Sequence, residues 1–163
     1  MAAALLAVPA HANDTSDSLS DEQRAVTAGV DAFFDALRSD DKTALAGTLD
    51  PNGMIYIHNR MEDGNWRVQH RTAADHLENW LNSPTGLDEI MVYEHVLVDG
   101  DMALVWGPYS FHASDTVVHC GINSMSMVRT GDGSWKVGNV NFTMVPPSQC
   151  AAVGADWVAL DDK

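Results

Sequence analysis

The sequence predicts an α+β domain in which a curved antiparallel sheet closes over N-terminal helices to enclose a small pocket. Three observations predict it: apolar residues at helical spacing near the start, a switch to alternating pattern after Leu87, and three hairpin signals within that alternating half. A chain of 163 residues, 45% hydrophobic and 20% charged, suffices for one domain with a genuine core.

Ser20-Asp21-Glu22-Gln23 is a capping box, and Val26, Val30, Phe33, Phe34 and Leu37 then carry an apolar stripe to about Arg38. Asp40 or Asp41 is expected to cap a second, short helix through Leu49, which Asp50-Pro51-Asn52-Gly53 stops. Met54 to His58 and Trp66 to His70 read as a hairpin across Glu62-Asp63-Gly64-Asn65. Thr72 caps a third helix to about Leu81 that buries Ala73, Leu77, Trp80 and Leu81, with Pro84 and Gly86 ending it. A four-stranded meander comes next, roughly 88–98, 101–112, 117–130 and 134–145. Its turns are Asp99-Gly100, Ala113 to Thr116 and Gly131-Asp132-Gly133.

Residues 2–10 are apolar but too short to span a bilayer, and Ala10-His11-Ala12 resembles a signal-peptidase site, although no positive residues precede the stretch. The organisation expected is therefore a signal peptide over 1–12, a polar leader over 13–19, the domain over 20–145 and a C-terminal tail over 146–163. Export to a periplasmic or extracellular location is the consequence. In that setting Cys120 and Cys150 suggest a disulfide, two buried thiols being the competing reading. A net charge of −14 repels phosphate backbones and anionic lipid, which argues against nucleic acid and membrane partners.

Within the meander, His119-Cys120-Gly121-Ile122-Asn123, then Met127-Val128-Arg129 and Asp132-Gly133-Ser134-Trp135-Lys136-Val137, together with Val105-Trp106-Gly107-Pro108-Tyr109, form a recognisable set. The set resembles the SnoaL-like and lumazine-binding branch of the nuclear transport factor 2-like superfamily. The order of elements matches over residues 20–145 and the specific motif over 103–143. The resemblance implies a cone with a small-molecule pocket. The superfamily includes isomerases, dehydratases, polyketide cyclases and hydrolases beside pure binding modules, and its fold does not choose among them. The paired acids and tyrosine of ketosteroid isomerase-like members have no residue-by-residue counterpart in this sequence.

Strand parity supplies candidate site residues. If Gly131 to Gly133 closes the last hairpin symmetrically, Asn123 faces Asn141 and His119 faces Val145. One face then carries His119, Asn123, Met125, Met127, Trp135, Val137, Asn139, Asn141 and Thr143, and forms the pocket. Parity across the neighbouring turns adds Tyr109 and Glu94, provided that Gly107-Pro108 inserts no bulge. His58, at the end of the first strand, is a further ligand-binding candidate, and His76 can reach the pocket or its rim. Glu94, Tyr109 and His119 would supply an acid, a phenol and an imidazole for proton transfer, with Asn123 or Asn141 stabilising negative charge.

The opposite face, Cys120, Ile122, Val128, Val140, Phe142 and Met144, is apolar where solvent is expected. It predicts a homodimer through the outer sheet face, or else coverage by residues 151–163. Six histidines lie beyond the leader, His58, His70, His76, His95, His112 and His119, without the paired spacing of a metal site, and no cofactor motif is present. The expected function is binding of a small, partly apolar ligand in the pocket; the alternative is a cofactor-independent isomerase, dehydratase or cyclase working through His119 and Glu94.

Overall fold

A computed structural model describes residues 19–158, so the expected signal peptide, its expected cleavage site and most of the expected leader lie outside the described residues. The first helix, α1 (Asp21–Arg38), begins as its capping box requires: the Ser20 hydroxyl accepts from the Gln23 N–H and the Gln23 side chain accepts from the Ser20 N–H. Its buried face, Val26, Val30, Phe33, Phe34 and Leu37, packs on the concave side of the sheet.

The second expected helix is instead a single 3₁₀ turn, Ala44–Gly47, so the described domain has two α-helices rather than three. The capping chemistry is present, since the Asp41 carboxylate accepts from the Thr43 N–H and hydroxyl. The segment beyond the cap is too short: Asp50-Pro51-Asn52-Gly53 turns the chain before a second α-helical turn can form. Thr72 caps the second helix, α2 (Ala73–Trp80), through the Asp75 N–H.

Seven strands make one sheet, in the order β2 (Arg67–Thr72), β1 (Met54–Asn59), β7 (Trp135–Met144), β6 (Thr116–Arg129), β5 (Met102–Ala113), β3 (Leu87–Met91), with β4 (His95–Asp99) also on β5. The sheet is mixed rather than wholly antiparallel. The hairpin β1–β2 joins the meander by setting β1 parallel to β7, Ile55 beside Val140 and Ile57 beside Phe142.

Three irregularities decide where side chains point, one of them a register shift against β6 between Phe111 and His112 of β5. The strand expected over 88–98 breaks at Val92–Glu94 into β3 and β4, opposite Gly107 of β5. A Cβ at Gly107 would collide with the Val92 carbonyl, so only glycine admits the folded-in backbone of that break. Between β6 and β7 the register shifts at Ser126/Met127, where Gly138 is the extra residue of a bulge.

The C-terminal segment crosses one end of the outer face. Cys120 and Cys150 are joined in a disulfide, Val145 and Ala155 pack beside them, and the Trp157 indole donates to the Ser110 hydroxyl at 3.2 Å. No helix among the described residues is long and apolar enough to cross a membrane.

Candidate functional site

The concave face encloses a cavity of about 260 Å³ between α1, α2 and six strands. Its body is apolar, lined by Phe33 and Leu37 of α1, Ile55 and Ile57 of β1, Met125 of β6 and Phe142 of β7. Polar groups enter from two edges.

At the β3 edge, register places Glu89 beside Phe111 on β5 and Phe111 beside His119 on β6, so an acid and an imidazole flank one aromatic ring. At ordinary strand spacing their backbones stand about 10 Å apart. Asn123 is 2% exposed, and its amide donates to the Glu89 carboxyl at 2.6 Å. Burial pushes that carboxyl up to about 7; the Asn123 bond opposes the rise and the charge of Asp88 adds to it.

The buried Tyr109 hydroxyl donates to the Thr143 carbonyl at 2.9 Å and lies 3.1 Å from Nδ1 of His119. A phenol has one proton, so with that proton on Thr143 the imidazole must donate through Nδ1–H, leaving Nε2 as its acceptor. Burial lowers His119 to about 4, which keeps this ring neutral near pH 7. Phe111 stacks flat on it, centroids 5.1 Å apart. Gly121 makes the Thr143 bond possible, since a Cβ there would strike the Thr143 carbonyl that turns inward.

At the other edge, Arg71 of β2 and His76 and Trp80 of α2 line the cavity, the last two one helical turn apart. Burial, and secondly the charge of Arg71, lowers His76 to about 4.

Tyr109, His119 and Asn123 thus reach the cavity together, as parity expects. Glu94 does not: it sits exposed in the break between β3 and β4, and Glu89 occupies the cavity instead. Asn139, Asn141 and Thr143 lie on the outer side of β7, because the Gly138 bulge inverts parity beyond Val137 and turns Val140, Phe142 and Met144 inward. The Asn139 side chain accepts from the Met54 N–H, and the Thr143 hydroxyl from the Ile122 N–H. Asn141 pairs with Ser124 and Tyr56. Trp135 is buried against Gly29 of α1 outside the cavity lining, and His58 borders a separate surface depression with Trp66 and Arg67. Glu89, Arg71 and Trp80 are the polar groups that parity along the meander does not find. Two of them come from the hairpin and α2, which it never reaches.

No protein-family profile matches the sequence, and no curated protein matches it. Solved structures do. An NTF2-like protein of unknown function from Shewanella baltica superposes with a TM-score of 0.57 at 10% identity, covering 77% of this chain and 94% of that one. A proposed dehydratase of the NTF2-like family from Streptomyces avermitilis gives 0.57 at 21% identity, over 76% and 96% of the two chains. A ketosteroid isomerase-like protein from Erwinia carotovora atroseptica gives 0.54 at 15%, over 77% and 98%. The chain shares its fold with these NTF2-like and ketosteroid isomerase-like proteins. At these identities the likeness speaks for the fold alone.

Proposed function

We propose that this protein binds a small, partly apolar molecule in the cone cavity, as an exported member of the SnoaL-like and lumazine-binding type. The observation that carries the reading is an apolar chamber of about 260 Å³ whose polar groups are held by the protein at fixed positions, Glu89 by Asn123 and His119 by Tyr109. A cavity of ~150 Å³ accepts benzene, so this one suits a single substituted ring. The disulfide fits an oxidising compartment and so supports export. A thermal-shift panel of one-ring carbonyl and hydroxyl compounds tests the binding: a rise in Tm that grows with concentration is expected, and a panel with no response overturns it.

Glu89 favours a second reading, proton transfer. An acid poised near neutrality, in a largely apolar chamber that also holds an imidazole acceptor, can take a proton from carbon and return it. Here Glu89 replaces Glu94 as the acid acting beside His119, because Glu94 faces solvent. Exchange of α-protons of a cyclic ketone in D₂O, followed by NMR, is expected with the wild type and lost in Glu89→Gln. Equal exchange in both would end this reading.

A further inference from the structure

The edge of the cavity formed by β2 and α2 presents hydrogen-bond donors without acceptors. Trp80 is 7% exposed and lines the cavity, yet its indole N–H has no partner among the described residues. Buried donors in native proteins are rarely left so, and an orphan on a cavity wall marks the place of an absent acceptor. Arg71 lines the same cavity, beside Ile55 in the β1–β2 register and immediately before the Thr72 cap of α2, and takes part in no ion pair among the described residues. Lys42 lies over the Trp80 ring 5.1 Å from its centroid, and His76 flanks the same ring at 5.8 Å. The indole is therefore held in place by its neighbours while its N–H stays free.

Groups at the other edge have the opposite character. Glu89 and Nε2 of His119 are acceptors, or an acceptor and a weak acid, and they enter from β3 and β6. Because β2 and β3 are the two ends of the strand order, the cavity runs from a donor edge to an acceptor edge across an apolar middle.

We propose that Arg71 and Trp80 form a carboxylate subsite, so that the ligand is a one-ring acid whose carboxylate meets these two donors while a hydroxyl on the far side of the ring meets Glu89 and His119. The inference rests on the cavity being a ligand pocket and names the class of ligand it takes. A guanidinium and an indole N–H together suit an anionic oxygen better than a neutral one, since hydrogen bonds to charged acceptors are roughly twice as strong. The net charge of −14 does not oppose this, because at physiological salt its field fades over about 8 Å and Arg71 is the local charge on the cavity wall.

The test uses 4-hydroxybenzoate and, as a neutral probe of the same outline, 4-hydroxybenzyl alcohol, with toluene as a probe of the apolar chamber alone. Calorimetry is expected to show the acid bound at least about tenfold more tightly than the alcohol, the ratio one charge-assisted bond supplies. Among the five tryptophan indole N–H signals, the one missing from Trp80→Phe should move downfield as the acid is added. Trp80→Phe and Arg71→Met should each weaken the acid more than the alcohol and so erase most of the preference. An alcohol that binds as well as the acid, or a Trp80 signal that stays still while the acid binds, overturns the subsite and leaves the pocket standing. Toluene binding with neither oxygenated ring bound does the same. Failure of all three probes overturns subsite and pocket together.

Discussion

The Asn123 amide donates to the Glu89 carboxyl across β5, a 2.6 Å bond between β6 and β3 at one edge of a largely apolar chamber. One amide cannot replace the water a carboxylate loses on burial, so desolvation prevails and the acid is held near neutrality. The bond orients Glu89 and thereby ties the site to the edge of the sheet.

Glu89→Gln should stabilise the protein at alkaline pH and change little in acid. A carboxyl raised from 4.5 to about 7 gives the folded state the extra proton between those values, so its contribution is fully present below pH 4.5 and is lost as pH rises through 7. Gln keeps the acceptor for Asn123 and carries no charge. The gain above pH 8 should be about 3 kcal/mol at most, read as the variant-minus-wild-type difference in urea unfolding. His119 and His76, both lowered to about 4, have the opposite slope: their contribution is present above 6.5 and lost as pH falls toward 4. They are common to both proteins and cancel in the difference. A difference that is flat from pH 5 to 9 would rule out a raised Glu89.

Tyr109→Phe removes one hydroxyl and leaves two buried partners unserved, the Thr143 carbonyl and Nδ1–H of His119. The expected loss is about 2–3 kcal/mol, more than a phenol-to-phenyl change on a surface. The imidazole also loses the acceptor that fixes its tautomer. Nitrogen chemical shifts should report Nδ1–H in the wild type and a mixture in the variant. Unchanged shifts would mean that Tyr109 does not set the ring.

The Cys120–Cys150 bridge closes a loop with a sequence separation of 30, for which chain entropy gives about 3–4 kcal/mol. Reduction should lower the unfolding free energy by that amount and release the segment that covers Val145 and Ser110. The denatured, unreduced chain should show no free thiol. Two titratable thiols would reject the bridge.

Legibility from sequence tracks the regularity of the backbone. The capping box of α1, the Thr72 cap of α2, the hairpin turns and parity from Gly131 back to Met125 on β6 and forward to Val137 on β7 agree with the structure, because each depends on a few adjacent residues. Beyond Gly138 and across Val92–Glu94 one extra residue enters, and each slip exchanges faces: Asn141 for Phe142 on β7, Glu94 for Glu89 at the β3 edge. Both slips lie at or opposite glycines, Gly138 and Gly107, where the absent side chain lets the backbone fold in. Glycine in a strand signals such a bend, but not its direction. Arg71 and Trp80 are invisible for another reason: nothing local to β2 or α2 shows that β1 lies parallel to β7, the pairing that brings them to the cavity.

The outer face carries the last prediction. The inversion at Gly138 removes Val140, Phe142 and Met144 from it, and residues 146–158 cover its Cys120 end, so two supports for a dimer expected from parity fall away. A different apolar band remains on β4 and β5: Leu97 and Met102 are 62% and 60% exposed, Trp106 is 40% exposed, and Leu97 sits beside Leu104 in register. Contiguous apolar surface on one sheet face, close to a covered one, is what a two-fold interface requires. The expected species in solution is therefore a dimer through β4 and β5, and light scattering should return twice the 17.6 kDa chain mass, less any cleaved leader. Leu97→Asp should give a folded monomer, since an exposed position tolerates the charge and a buried interface does not. A wild type that stays monomeric at high concentration would reject the dimer, and a Leu97→Asp variant that stays dimeric would move the interface elsewhere.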